Sequence, residues 1–198
     1  MIEKFRSTVS FDEFIQDGKS FKVSDKKTYY ISYIEFLEYF KNTNEITKHN
    51  LIIGINFVYG WMPTIFDFCN NDFDNALKIL NRAKQNIIPS KDELDSLKGL
   101  LNHSLVGTSK LLHLINPEYF AIWDSKVYKY LTKNKANQNS ISKSESYLAY
   151  LEFCKELTER KEYENIHRKI CDAVEYEMTK FRTAELIMFT TINNEKLK

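Results

Sequence analysis

The sequence predicts an all-α fold, and three observations carry that prediction. Five glycines and three prolines in 198 residues are too few for a turn-rich β architecture. Apolar residues recur at helical spacing along most of the chain. Helix-opening signatures stand at several segment starts, most clearly Ser90-x-x-Glu93, which has the form of a capping box. A composition of 43% hydrophobic and 14% aromatic residues supports a real core. The length fits one large domain, or two small lobes sharing a cleft.

Taken in order, residues 1–26 mix Phe5, Val9, Phe11, Phe14 and Ile15 with charges, enough for a short helix or an arm laid over the body. From Lys27 to Lys41, Tyr30, Ile31, Ile34, Leu37 and Phe40 define a helix with a broad buried face. Asn44 is the expected N-cap of the next helix, with Glu45 in its first turn. That helix, Ile46 to Tyr59, is strongly apolar from Leu51 onward; Leu51–Val58 has a strand's composition, but the chain offers no partner strand. The run Tyr59-Gly60-Trp61-Met62-Pro63-Thr64 breaks it. Trp61 there is either folded into the core under a tight interhelical turn, or stands as an aromatic surface on a rigid loop. Phe73, Ala76, Leu77 and Leu80 mark an amphipathic helix over Asp72–Gln85, and the Ser90 box opens another through Leu101. After Leu131 a polar, basic stretch runs to Lys143, helix returns from Glu145 to Leu157, and one or two long helices close the chain from Tyr163 to Phe189. The tally is nine or ten helices and no convincing strand, with no internal repeat.

The stretch Ser104–Leu131 is the most informative. It is read as a turn at Val106-Gly107, with Thr108 and Ser109 as small hydroxyl residues suited to capping, and then a short apolar helix Leu111–Ile115. Asn116-Pro117 ends that helix, because the residue before proline leaves the helical region. An apolar run, Tyr119 to Trp123, then delivers Asp124 to the start of a helix built on Val127 and Leu131. A carboxylate there is placed to cap the helix, and a second role is open to it.

This pairing of a hairpin with a following aspartate resembles the core of the helix–hairpin–helix DNA glycosylase superfamily, the group of 8-oxoguanine, mismatched-adenine and alkylated-base glycosylases. The likeness is specific over about 25 residues: Gly107 matches the second glycine of the family's Gly-x-Gly hairpin and Asp124 its catalytic aspartate. Leu105 replaces the first glycine, and Ser109 stands where strand-cleaving members carry a lysine, with Lys110 one position later. The resemblance implies a two-lobed helical fold over residues 1–198, with the hairpin and catalytic segment at 91–131 and a cleft between the lobes. It implies a backbone grip on double-stranded DNA by Val106, Gly107, Thr108, Ser109, Lys110 and Lys126. A base pocket or wedge would draw on Tyr59, Trp61, His113, Trp123, Arg182 and Glu185.

In such a site Asp124 would stabilise the positive charge that builds on the sugar, and orient or deprotonate the attacking water. A nucleophilic Lys110 would add strand cleavage through a Schiff base. One residue of slip turns a helical side chain by about 100°, which favours an enzyme that leaves an abasic site. Arg182 and Glu185, at i and i+3, are an ordinary helix ion pair or a buried pair lining the cleft.

Composition limits the alternatives. Lys and Arg number 28 against 27 Asp and Glu, a formal net charge of +1, so a DNA surface must be local. Lys110, Lys126, Lys129, Lys133, Lys135 and Lys143 cluster around the hairpin in sequence, as phosphate contacts or as solvated loop residues. Cys69, Cys154 and Cys171 are scattered, read as reduced thiols, and are too few for a four-cysteine iron–sulfur cluster. His103 and His113 lack an acidic partner at metal-ligand spacing. The expectation is therefore a monomeric, cytoplasmic protein with no cofactor, no metal and no membrane segment. Two competing readings are a catalytically silent nucleic-acid-binding relative and an all-helical protein-interaction module. The base itself is not legible; a hypermodified base of viral DNA would make the chain a defence factor.

Overall fold

In the computed structural model, residues 1–23, 27–60, 62, 64–66 and 72–195 are described. Among them the chain forms twelve α-helices and no strand. It divides into two compact units, Lys26–Phe120 and a second made of Met1–Asp25 with Ala121–Lys198. Trp61 and Cys69 lie outside the described residues.

Within Lys26–Phe120 the helices are Lys27–Lys41 (α3), Lys48–Gly60 (α4), Phe73–Lys84 (α5), Lys91–Leu100 (α6) and Leu105–Ile115 (α7). Helix α7 is the hub, packing on α3, α4, α5 and α6. Nine of its eleven residues are buried, the exceptions being Val106 and Lys110. A helix apolar on all sides is stable in water only when other elements enclose it. The enclosure is tight at Gly54 of α4, where an added Cβ would stand 2.5 Å from Cζ of Phe40 and 2.9 Å from Cδ1 of Leu111. Lys84 at the end of α5 donates from Nζ to the Phe40 carbonyl at 2.8 Å, and burial pushes its ammonium down from the usual lysine range. The α6 capping box forms as the sequence predicts, with Glu93 N on Ser90 Oγ and Ser90 N on Glu93 Oε2. The Ser90 amide, chief among its partners, holds the Glu93 carboxyl below its ordinary range.

The second unit holds Ile2–Thr8 (α1), Phe11–Lys19 (α2), Ser125–Thr132 (α8), Gln138–Ile141 (α9), Ser144–Thr158 (α10), Lys161–Val174 (α11) and Lys180–Glu195 (α12). Helix α12 packs on α8, α10, α11 and α2. Its core is rich in aromatics: Phe5, Phe14, Trp123, Tyr130, Tyr147, Tyr150 and Tyr163 are all fully buried. Buried phenols need partners, and three donate to known acceptors: Tyr130 to Asp17 at 2.7 Å, Tyr147 to the Ala121 carbonyl at 3.2 Å and Tyr163 to the Lys180 carbonyl at 2.6 Å.

Three expectations about elements change. The amino-terminal stretch forms two helices where one or an arm was expected, and a short helix, α9, sits in the polar run before Lys143. Asn44 is not a cap. Helix α4 starts three residues later than that cap implies, at Lys48, because Thr47 and Asn50 satisfy each other: Asn50 N reaches Thr47 Oγ1 at 3.4 Å and Thr47 N reaches Asn50 Oδ1 at 2.9 Å. Ile46 is held instead by both ends of the Asn81 side chain.

The packing at Gly54 makes a signed prediction. Alanine in place of a helix-interior glycine normally gains about 1 kcal/mol, whereas overpacking a core costs about 1–3 kcal/mol. Phe40 is fully buried and cannot swing aside. Gly54→Ala should therefore lower stability in chemical denaturation. Gly60→Ala, whose Cβ meets nothing within 4 Å, should not.

Candidate functional site

The turn between α6 and α7 is built differently from the sequence expectation. It falls at Leu101–Ser104, and Val106-Gly107 lies inside the first turn of α7. Ser104 is the cap: its hydroxyl accepts from Gly107 N at 3.0 Å. Thr108 and Ser109 do not cap; their hydroxyls donate back to the carbonyls of Ser104 and Val106, at 2.9 and 3.0 Å, and both residues are buried. The backbone reversal that a glycine would make most easily is made by Asn102 and His103, both at φ 52°. Asn and His are among the residues that tolerate this left-handed region best. That Asn-His pair ahead of a serine was the overlooked turn signal.

Consequently the amides of Leu105 and Val106, in the first turn of α7, have no intrahelical acceptor; Leu105 is buried and Val106 half-buried. Gly107 is needed for a close approach and not for its torsion: a Cβ there would stand 3.1 Å from the Tyr59 hydroxyl. Tyr59, at the end of α4, donates to the Leu101 carbonyl at 2.8 Å, so α4 braces the turn. Lys110 follows, half-buried in mid-helix.

Farther along α7, His113 is fully buried. Its Nδ1 lies 2.6 Å from the Phe120 carbonyl and its Nε2 2.6 Å from the Tyr33 hydroxyl. A carbonyl only accepts, so Nδ1 carries a proton, and Nε2 pairs with the Tyr33 hydroxyl. Sequence reasoning missed Tyr33 altogether. The connection after α7 is pinned further by Asn116, whose Nδ2 donates to the Ala83 carbonyl and to Asn86 Oδ1 at 3.0 and 2.9 Å.

In the second unit, the approach to Asp124 is anchored by buried groups. Ala121, Ile122 and Trp123 are all buried, the Ala121 carbonyl accepts from Tyr147, and Trp123 Nε1 donates to the Ile141 carbonyl at 2.9 Å. Asp124 is the N-cap of α8, and both cap bonds end on one oxygen: Oδ1 accepts from Lys126 N at 2.8 Å and Val127 N at 2.9 Å. No hydrogen bond reaches Oδ2 among the described residues, and the side chain is half-buried. The carboxylate is thus fixed through one oxygen and keeps the other.

Two of the clustered lysines are engaged in this unit. Lys126 Nζ sits 3.9 Å from the Phe189 ring centroid on α12, and Lys133 Nζ is 2.7 Å from Glu13. Arg182 and Glu185 form an ion pair at 3% and 4% side-chain exposure. Around that pair, burial pushes the Tyr150 hydroxyl and the Cys154 thiol well up from their ordinary values, and the Glu185 charge adds to both.

The predicted site residues therefore fall into two sets. Tyr59, Val106, Gly107, Thr108, Ser109, Lys110 and His113 belong to the Lys26–Phe120 unit, and Trp123, Asp124, Lys126, Arg182 and Glu185 to the other. Among the described residues, no group of three or more His, Cys, Asp or Glu is placed to hold a metal ion, and no helix is long and apolar enough to cross a membrane. Comparisons with protein-family models, with curated proteins and with solved structures return no match for this chain.

The ion pair generates a test. Removing one partner of a buried pair strands a charge and costs about 3–5 kcal/mol, whereas an apolar replacement of both is close to neutral. Arg182→Met should lower the denaturation midpoint sharply. Adding Glu185→Leu should restore most of the loss.

Proposed function

We propose that the chain is a DNA glycosylase that extrudes a damaged or modified base from double-stranded DNA and hydrolyses its bond to deoxyribose. The observation that supports this best is Asp124, locked by its cap bonds on Oδ1 while Oδ2 keeps no protein partner among the described residues. A carboxylate held rigidly by helix amides needs no reorganisation as charge develops on the sugar, which is the condition for strong electrostatic stabilisation.

The chemistry needs only water. The bond from C1′ to the base nitrogen breaks with its electron pair leaving on the base, which takes up a proton. Positive charge gathers on C1′ and the ring oxygen, facing Oδ2. A water molecule adds to C1′, its lost proton passing to the carboxylate or to solvent, and an abasic site remains. The amide of half-buried Val106, in the first turn of α7, suits a backbone phosphate, because a helix N-terminus combines N–H groups that lack a helical acceptor with a favourable dipole. Lys110, in the middle of α7, serves in this reading as a phosphate or surface lysine, so the enzyme leaves the strand intact. The same reading carries the glycosylase-like two-lobed arrangement, a monomeric state and a cytoplasmic location, in repair or in defence against modified viral DNA.

A second reading, a silent DNA-binding relative, is favoured by one fact: capping α8 alone already accounts for the position of Asp124. Asparagine separates the two, because it caps helices about as well as aspartate but carries no charge. Purified protein and its Asp124→Asn variant should be incubated with duplexes carrying normal, oxidised, alkylated and glucosylated bases, and then treated with alkali. Breaks that need alkali, and vanish in a variant of unchanged thermal stability, are the expected result. Breaks without alkali would make Lys110 or another lysine a nucleophile. DNA binding without breaks on any substrate would replace this reading with the silent one.

A further inference from the structure

We infer that a cleft in the second unit, formed by α1, α2, α10 and α11, binds a small organic acid: an apolar body ending in one carboxylate. This stands apart from the glycosylase reading. The cleft has a volume of about 230 Å³. That is below the roughly 300–1,000 Å³ of sites for drug-sized ligands, so the ligand is small. Its floor is apolar, made by Val9, Phe153 and Leu157, each 4% exposed or less. Phe153 is braced by Phe5, whose ring meets it edge-on with centroids 6.3 Å apart. Such a floor favours an apolar ligand body, because contact removes both surfaces from water.

The charges around the floor are unequally engaged. Arg6 holds Glu156 through two nitrogens, Nε on Oε2 at 3.1 Å and a second on Oε1, and it also pairs with Glu3. Both oxygens of Glu156 therefore already accept from Arg6. Arg160, which also lines the cleft, has no carboxylate partner among the described residues; its guanidinium carbon lies 4.8 Å from the centroid of the Phe11 ring. An exposed arginine is ordinary on a protein surface. This one is held in place. Its backbone N donates to the Leu157 carbonyl at 3.4 Å, and its carbonyl accepts from Tyr163 N at 3.1 Å. The attraction between the guanidinium and the Phe11 ring limits the side chain further.

A guanidinium held at an aromatic ring keeps N–H donors for an oxyanion, and its fork matches the two oxygens of a carboxylate. The lining carries Arg6, Arg160 and Glu156, a surplus of one positive charge. One carboxylate balances that surplus. A doubly charged phosphate would overshoot it and meet the repulsion of Glu156, and a neutral ligand would leave Arg160 without a counter-ion. The acid's apolar body then lies on Val9, Phe153 and Leu157, with its carboxylate at Arg160.

The test uses the full chain, with phenylacetate as probe, phenylacetamide and acetate as controls, and ionic strength held constant. In amide proton–nitrogen correlation spectra, phenylacetate should shift Val9, Phe11, Phe153 and Arg160 saturably, with a Kd of about 1 mM, the scale of so small a ligand. Phenylacetamide keeps the ring without the charge, and acetate keeps the charge without the ring; each should bind about tenfold more weakly or worse. Arg160→Gln should lose about tenfold of the phenylacetate affinity, and Arg160→Lys less, because an ammonium keeps the charge without the fork. Arg160 is exposed, so without ligand the glutamine variant should melt as the wild type does. Shifts that do not saturate, or that fall away from the cleft, would overturn the site. Equal binding of the amide, or unchanged affinity in Arg160→Gln, would overturn the carboxylate assignment. Tighter binding of a peptide ending in phenylalanine than of phenylacetate would overturn the free acid in favour of a chain end.

Discussion

The enclosure of α7 is the constraint on which the Lys26–Phe120 unit depends. An eleven-residue helix with only Val106 and Lys110 outside the buried set is unstable alone. Four other helices surround it, and the fit is set by small residues at the contacts, Gly54 on α4 and Gly107 on α7 itself. The same burial explains why polar side chains on α7 are tied to backbone carbonyls: Thr108 and Ser109 bond within the helix, and His113 is saturated by Phe120 and Tyr33. A buried polar atom left without such a partner is costly. The hub thus dictates both the tight turn before it and the pinned connection after it.

In the other unit the equivalent task falls to aromatic side chains. Tyrosine brings a large apolar ring and one hydroxyl, and here the hydroxyls of Tyr147 and Tyr163 are spent on carbonyls where the backbone is not helical or is just starting a helix. Trp123 donates through its indole nitrogen to the Ile141 carbonyl at the end of α9. The segment before Asp124 has no regular structure to satisfy its backbone, so Tyr147 supplies at Ala121 a bond that a sheet or helix would, while Trp123 ties the segment to Ile141. The result is an irregular stretch held as firmly as an element.

Much of the fold was legible in the sequence, and the parts that were not share a cause. Helical periodicity identified the segments that became α3, α5, α6, α8, α10 and the carboxy-terminal helices, because apolar residues recur in each at helical spacing. The α6 capping box was legible because both of its partners lie within four residues. The turn at Leu101–Ser104 was not, since the eye goes to glycine and the reversal is made by Asn102 and His103. Asn44 looked like a cap by type, but Thr47 and Asn50 competed successfully for the same job. Of the candidate site, Asp124 at the head of α8 was legible from its position. The Tyr33–His113 bond, between residues 80 apart in sequence, and the Asn102–Ile65 bond, 37 apart, were not, because no local pattern records them.

The division of labour between the two oxygens of Asp124 has an evolutionary side. In the glycosylase reading proposed above, one oxygen serves folding and the other chemistry, so selection for a stable protein and selection for an active one would read different atoms of a single residue. Asparagine keeps the first and discards the second, and aspartate and asparagine codons differ by one nucleotide. A population relieved of the need for activity would cross that step without any loss of folded protein to resist it. In that reading abundance and solubility are no guide to whether a chain of this design still works; the identity of residue 124 is.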